Sequence, residues 1–589
     1  MKKLLVYLEG YWKEAVIAPL FKMLEASFEL LVPLVMAKII DVGIWQQDQA
    51  YIWRMCGLMI FLGVLGLSCS LTAQYFAARS SMGFGTALRR ALFSHINRLS
   101  YQELDRLGTP SLVTRMTSDI NQAQAGVNLV LRLFLRSPFI VVGAVIMALT
   151  ISVKLTVIFF IAVPLIGATI FIIVKVTIPL YKKVQSRMDQ VVRLTRENYG
   201  GARVVRAFSR QEAETEEFRQ VNEGLKKVQL FSGRISALMN PLTYVLVNLA
   251  VIAILWQGGG SVDRGEITQG ELTALINYMS QILLALVALA NLIITVTRAA
   301  ASALRINEVF ACQPGMQEGT DTFSVSADSE EMVRFEAVSF TYQGAREPAL
   351  ENISFAVKRG ETIGIIGGTG SGKSTLVSLI PRFYDGNSGQ VLVEGRPVQE
   401  YAFDSLRKKI GIVPQKAVLF AGTIRENMRW QKEDASEEEI WQALVTAQAR
   451  EVVEGKKGGL DGQVTAGGRN FSGGQRQRLT IARALVSRPE ILILDEPMVG
   501  MDPQQIIEVR ELIRELAKEH TVILSSHILA EVSEICDEIL IISRGKLVAS
   551  GKPEELERMM QGGENLKILA RCEKEAVSYT HLRAHETRH

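Results

Sequence analysis

Six apolar runs dominate the first half of the chain, near residues 17–40, 55–78, 130–153, 155–180, 235–257 and 270–296. Crossing roughly 30 Å of hydrocarbon takes about 20 helical residues, so each run is long enough to span a bilayer. Two kinds of polar stretch separate them. The connections near 41–54, 153–155 and 258–269 are short and carry few basic residues. Those between the second and third runs and between the fourth and fifth extend for about 50 residues and are basic, with Arg193, Arg196, Arg203, Arg206 and Arg210 crowded into the later one. This bias places both long connections on the cytoplasmic side. Six crossings then return the rest of the chain to that side.

Both long connections read as helical continuations of the spans. Each has a glycine-containing break at its tip, Leu107-Gly108-Thr109-Pro110 in one and Tyr199-Gly200-Gly201 in the other. Residues 1–9 lack the clean apolar core and small-residue cleavage site of a removable signal. With Tyr7, Tyr11 and Trp12, the start is expected to be an amphipathic helix lying in the membrane interface. Within the first run, spacings of three and four put Lys22, Glu25 and Glu29 on one helical face. Ionisable groups inside a membrane are costly unless they pair or face water. Two readings stand: a structural ion pair, with Arg132 or Arg136 at the start of the third run as partner, or side chains lining a substrate cavity.

Near residue 300 the pattern changes. A short Ala-rich helix end gives way to Pro314-Gly315 and Glu318-Gly319-Thr320, which mark a linker over 301–330. Strand-like segments at 333–342, 362–366, 491–494, 521–524 and 538–542 then alternate with helical ones, the order of an α/β domain over 331–565. The last stretch, 566–589, is expected to be a disordered or non-native tail. Its end, from Val577 to His589, has no apolar periodicity and resembles translated vector-derived sequence.

Composition agrees with a chain of two natures. Its 589 residues exceed any single small module. Apolar residues at 48% against 21% charged, with mean hydropathy +0.18, suit a membrane half joined to a soluble half. A net charge of +4 gives no reason to invoke nucleic acid. Cys56, Cys69, Cys312, Cys536 and Cys572 show neither paired nor metal-ligand spacing, which fits a reducing cytosol.

The strongest motif is Gly367-Gly368-Thr369-Gly370-Ser371-Gly372-Lys373-Ser374-Thr375, set between the strand ending at Ile366 and a helix. Such glycines let backbone N–H groups close around phosphate at the positive end of a helix. Lys373 would reach the β- and γ-phosphates and the Ser374 hydroxyl would ligate Mg²⁺. Ile491-Leu492-Ile493-Leu494-Asp495-Glu496 reads as a buried parallel strand ending in two carboxylates, which suits Asp495 to the Mg²⁺ shell and Glu496 to orienting an attacking water. The fold class is therefore a membrane all-α six-helix transmembrane domain (1–300) followed by an α/β P-loop nucleotide-binding domain.

Between those motifs lies Asn470-Phe471-Ser472-Gly473-Gly474-Gln475-Arg476-Gln477-Arg478. With it the chain resembles the ATP-binding cassette transporter family, whose signature is Ser-Gly-Gly-Gln at a helix start. The resemblance implies an adenine-stacking aromatic at Tyr342 and a Q-loop glutamine at Gln415, beside the metal with Ser374 and Asp495. It also implies a D-loop aspartate at Asp502 and a switch histidine at His527, which would join Glu496 and Gln415 in catalysis. Gly367, Gly370, Gly372 and Thr375 would hold nucleotide with Lys373. Ser472, Gly473, Gly474 and Gln475 would contact the γ-phosphate held by a second cassette, so one chain cannot complete a site. Each residue has a plainer reading: Tyr342 a strand-end aromatic, Gln415 a turn residue, His527 a satisfied core histidine.

One membrane half and one cassette resemble a half-transporter of the exporter type, and residues 1–494 are most similar to one half of heterodimeric bacterial multidrug exporters. This implies ATP and Mg²⁺ as cofactors, a second half-transporter as partner (a heterodimer, or a homodimer), a lipid bilayer, and an amphiphilic drug or lipid as cargo. A lipid or peptide exporter, or a regulatory ATP-gated membrane protein that moves nothing, are the alternatives. Past Leu494, Pro497-Met498-Val499-Gly500-Met501-Asp502-Pro503 and Ser525-Ser526-His527-Ile528-Leu529 instead resemble stand-alone ATPase subunits. Glu496 sits at that change, and in the exporter half most similar to residues 1–494 this position is often Asp, which leaves its own site slow.

Overall fold

The computed structural model describes residues 2–320, 330–499 and 503–556. The expected D-loop Asp502 and the tail at 566–589 lie outside the described residues. The chain divides into two compact units: Met1–Leu99 with Leu107–Gln313, and Ser100–Arg106 with the chain from Pro314 onward.

The first unit is helical throughout, with α1 (Trp12–Lys38), α2 (Gln49–Ile96), α3 (Thr109–Ile151), α4 (Val153–Gly200), α5 (Gln211–Asp263) and α6 (Gln269–Ala311). Among the described residues, α2 to α6 are the five helices long and apolar enough to cross a membrane. The charges of Lys22, Glu25 and Glu29 set α1 apart from them. At 1.5 Å per residue the 48 residues of α2 or of α4 reach about 72 Å, more than twice the hydrocarbon thickness. In the most apolar stretch of α2 only 11% of residues are buried inside the protein, and 33% in α6. Ile60, Phe61, Leu67 and Leu71 on α2 and Phe160 and Ile161 on α4 point outward. Water would not tolerate such a surface, and a bilayer does.

Both tips break at their glycine-containing segments. Gly108, at φ +73°, separates the short helix Tyr101–Leu107 from α3, a conformation that side chains with a Cβ resist. At the other tip α4 stops at Gly200 and a short helix, Ala202–Ala207, precedes α5. The start of the chain, Lys2–Tyr11, is wound as a tighter 3₁₀ helix.

Polar anchors tie these helices together. Asp41 accepts from the Thr268 hydroxyl at 2.5 Å and from the Gly270 N–H at 2.7 Å, closing the start of α6. A Cβ at Gly270 would strike the Ala37 carbonyl, so a glycine is required at this approach. The buried Tyr278 hydroxyl donates to the Leu30 carbonyl at 2.8 Å. The first-span charges are paired: Lys22 with Glu25 at 2.6 Å, and Arg136 with Glu29 at 2.8 Å and Glu25 at 3.9 Å. Lys22 also donates to Ser70 on α2 at 3.0 Å. Of the two expected partners it is Arg136, not Arg132, that meets them.

Among the described residues the second unit holds two large sheets and a small two-stranded pairing of Gly422–Thr423 with Gln463–Val464. In the antiparallel large sheet, β1 (Glu331–Phe340) lies between β2 (Leu350–Lys358) and β4 (Ser388–Val393). The larger sheet contains β3 (Thr362–Ile366), β5 (Ile410–Val413), β6 (Ile491–Asp495), β7 (Thr521–Ser526), β8 (Glu538–Ser543) and β9 (Lys546–Gly551). Its order is β9-β8-β3-β7-β6-β5, parallel except for the β8–β9 pair. Strands β3, β6 and β7 are buried at every residue, which explains their unbroken apolar runs. They are neighbours, so their carboxyl ends open side by side, where parallel sheets bind ligands.

Ser100–Arg106 packs within this unit. The Tyr101 ring lies 4.7 Å from that of Phe383, and the Tyr384 hydroxyl donates to Asp105 at 2.7 Å. The Ser100 N–H donates to the buried Glu103 carboxylate at 2.9 Å, capping the turn.

Candidate functional site

β3 ends at Ile366, and the chain turns through Gly367–Gly372 into α7 (Lys373–Leu379). Gly370 at φ +79° and Gly372 at φ +107° make that turn in left-handed space. Lys373 is 4% exposed, its ammonium donating to the carbonyls of Gly367 at 2.8 Å and Gly368 at 3.2 Å. Among the described residues the buried Ser371 hydroxyl has no hydrogen-bond partner. Tyr342, just beyond β1, shares a 3.0 Å hydrogen bond with the Thr375 hydroxyl and sets its ring edge-on to Phe340 and Tyr384. Burial, followed by the hydrogen bond to Asp105, pushes the Tyr384 phenol up, so it stays a donor.

β6 delivers the acids. Asp495 Oδ1 accepts from Ser374 at 3.2 Å and from Ser525 at 2.6 Å. Glu496 gathers three distant segments: Lys373 lies 3.3 Å from Oε1, Gln415 donates to Oε2 at 3.0 Å, and His527 Nδ1 is 3.8 Å from Oε2. The structure therefore brings Lys373, Ser374, Gln415, Asp495, Glu496 and His527 into one cluster. The cluster carries two carboxylates and one ammonium, of which Glu496 meets Lys373, so phosphate charge would need a further cation beside it. Ser374 and Asp495 supply hard oxygen atoms 3.2 Å apart, the donor chemistry that suits a small divalent ion. Among the described residues no three His, Cys, Asp or Glu side chains could hold a metal unaided, so water and substrate oxygen would have to complete its shell.

The signature residues stand apart. Ser472 caps α8 (Gly473–Leu485): its hydroxyl accepts from the Gln475 N–H at 3.2 Å, and the Gln475 side chain accepts from the Ser472 N–H at 3.1 Å. Gly473 lines a cleft of about 600 Å³ with Gln415, Arg476 and Gln477. Gly474 faces Gln505 at the start of α9 (Pro503–Leu516).

Two serines were not anticipated. Ser525 joins Asp495 to Glu496, whose N–H donates to the Ser525 hydroxyl at 2.8 Å. Ser526 donates to the buried Glu531 at 2.8 Å and accepts the Ile528 N–H at 3.1 Å, fastening the turn that carries His527. Two hydroxyls ending a wholly buried apolar strand are the signal that could have revealed them.

A strand, a glycine loop and a helix bearing Lys373, with strand-end acids beside them, define a P-loop ATPase, here on the same chain as membrane-length helices. Residues 15–286 match the ABC transporter transmembrane region family, and residues 350–499 the family described as ABC transporter. YfiB of Bacillus subtilis, an uncharacterised ABC transporter ATP-binding protein, is 36% identical over 559 residues, 94% of this chain and 96% of its own. An ATP-dependent lipid A-core flippase of Chromobacterium violaceum is 31% identical over 570 residues, 95% of each chain. Both alignments run past Leu494, where the sequence changes character. The fold is shared with a bacterial Atm1-family ABC exporter solved with ATP bound, at TM-score 0.76 and 22% identity over 94% of this chain and 99% of that one. The chain belongs to the ATP-binding cassette transporter family. It is a multi-pass membrane protein of the exporter type with a cytoplasmic, ATP-binding and ATP-hydrolysing domain.

Proposed function

We propose that this chain is one half of a two-chain exporter that moves an amphiphilic drug or lipid out across the cytoplasmic membrane. The observation that carries the reading is the Glu496 cluster, in which Lys373, Gln415 and His527 converge on one carboxylate beside the Ser374–Asp495 pair. Glu496 orients the attacking water, Lys373 holds the β- and γ-phosphates, and Gln415 and His527 position them. Ser374 and Asp495, with Gln415 beside them, hold Mg²⁺, which when bound neutralises phosphate charge. Tyr342 stacks on adenine, and the glycines of the loop, with Thr375, wrap the phosphates.

Ser472, Gly473, Gly474 and Gln475 serve the ATP of the other half. Their confinement to the cap of α8 supports this, since the capping bonds leave the helix end facing outward for a phosphate. We take the partner to be a different half-transporter, so that the pair is a heterodimer. α1 is the sixth span, its charges made tolerable by Arg136 and Ser70. ATP between the cassettes draws the halves together and turns the cavity outward, and hydrolysis resets it. The flippase relative supports a lipid-like cargo.

The test is ATP-driven movement of a fluorescent phospholipid and of a cationic dye in vesicles holding the purified transporter, with its mass measured for a second chain. ATP hydrolysis with no movement of either probe would favour a regulatory protein over an exporter.

A further inference from the structure

Ser525 ends a strand buried at every position and has no exposed surface itself. A hydroxyl so placed is costly unless its bonds are made, and here both are made to the hydrolytic cluster. It lies directly across the parallel ladder from Asp495, donating to Asp495 Oδ1 at 2.6 Å, while its own Oγ accepts the Glu496 N–H at 2.8 Å. Glu496 needs such support. Its backbone sits at φ +46°, left-handed space that non-glycine residues hold only where their surroundings impose it. The Ser525 carbonyl also accepts that N–H, at 3.2 Å, so one residue grips the strained amide twice.

We infer that Ser525 is a positioning residue for ATP hydrolysis, its single hydroxyl locking the Asp495 carboxylate and the Glu496 backbone into one unit. The inference rests on the proposed roles of Asp495 and Glu496. Asp495 Oδ1 takes two hydroxyls, from Ser525 and from Ser374. With the Ser525 hydroxyl removed, Ser374 is the one hydroxyl among the described residues left on Asp495 Oδ1, and the Glu496 N–H keeps the longer bond to the Ser525 carbonyl. Residues placed through others in this way lose turnover when their support shifts by a fraction of an ångström. Ser525 acts on its own chain's site, in contrast to the role proposed for Ser472.

The experiment uses the full-length transporter, with any partner that co-purifies, in lipid nanodiscs. Ser525→Ala removes the hydroxyl, Ser525→Cys keeps the volume but loses the strong donor, and Ser525→Thr keeps the donor. ATP hydrolysis is followed together with equilibrium binding of a non-hydrolysable ATP analogue, in EDTA and with Mg²⁺. For Ala and Cys, kcat is expected to fall by about 10- to 100-fold, binding in EDTA to stay within about twofold, and the gain in affinity on adding Mg²⁺ to shrink. Thr should restore both the rate and the Mg²⁺ gain. A Cys variant that matches wild type in both measurements overturns the inference, and so does an equal loss of analogue binding in EDTA by all three variants, which would mean a merely structural serine. Glu496→Gln is the control: if it turns over normally the reading beneath fails, whereas a dead Glu496→Gln beside a normal Ser525→Cys removes this inference alone.

Discussion

Replacing Glu496 by Gln should separate ATP binding from ATP hydrolysis. The carboxylate keeps its shape but loses its charge, so Oε2 can no longer orient a water as a base, while the Gln415 contact at 3.0 Å has an acceptor still available. General-base contributions run to about 10²–10⁴ in rate, or about 3 to 5 kcal/mol of barrier. The same change acts on Lys373. That ammonium is 3.3 Å from Glu496, with the two side chains 4% and 14% exposed. Their Coulomb attraction at an effective dielectric of ~20 is about 5 kcal/mol. Desolvation offsets most of it, leaving a net value of about 1 to 2 kcal/mol for a charged contact of this kind. Glu496 therefore competes with incoming phosphate for Lys373, and its neutral replacement should bind ATP about 5- to 30-fold tighter while hydrolysing it far more slowly. Phosphate release and retention of labelled ATP on the washed transporter measure the two effects. Turnover within threefold of wild type, or weaker ATP binding, would refute the reasoning and return Glu496 to the Asp-like, slow site that its position in the sequence suggested.

Lys373→Ala should lower ATP-dependent transport by more than about 100-fold while leaving membrane insertion intact, since it strips the charge from the phosphate loop and touches no span; cargo flux beside a protease-protection assay reads both. Ser472→Ala should damage hydrolysis at the partner's phosphate loop whatever the competence of this chain's own site, and a vanadate-trapping measurement that assigns nucleotide to each half would show it. Glu29→Gln releases one arm of the Arg136 pair and, if this acid borders the cavity, should change the ratio of cationic to neutral dye transported; an unchanged ratio with a lower protein yield would mark the pair as structural. Asp41→Ala removes two bonds from the start of α6 and should cost about 1 to 2 kcal/mol, seen as a lower Tm in detergent with ATP hydrolysis per folded molecule unchanged.

What was legible in the sequence was local in the chain. The loop from Gly367 to Thr375 is one contiguous segment whose spacing and glycines carry their own geometry, and Gly108 announced its break for the same reason. The Glu496 cluster is different, because Lys373, Gln415 and His527 become neighbours only once β7 is laid beside β3 and β6. A resemblance could name those residues, but no periodicity could join them. Ser525 was invisible for a related reason: in a strand buried on both faces alternation disappears, and with it any sign of which side chain faces the acids. In α1 the charges were plain, yet their compensation comes from Arg136 on α3 and Ser70 on α2. The expected strand at 333–342 begins and ends two residues earlier, since Thr341 and Tyr342 leave the ladder to meet Asn387 and Thr375.

The membership of Ser100–Arg106 in the second unit has a practical result for anyone dividing the molecule. The cassette is not one uninterrupted stretch of gene. Cutting near residue 314 to obtain a soluble ATPase would discard seven residues that belong to it, stripping Tyr101 from the face of Phe383 and Asp105 from the hydroxyl of Tyr384. Such a fragment would present bare aromatic rings to solvent and be prone to stick to itself. Adding back a synthetic peptide covering 100–106 should improve its solubility, much as a missing stave restores a barrel.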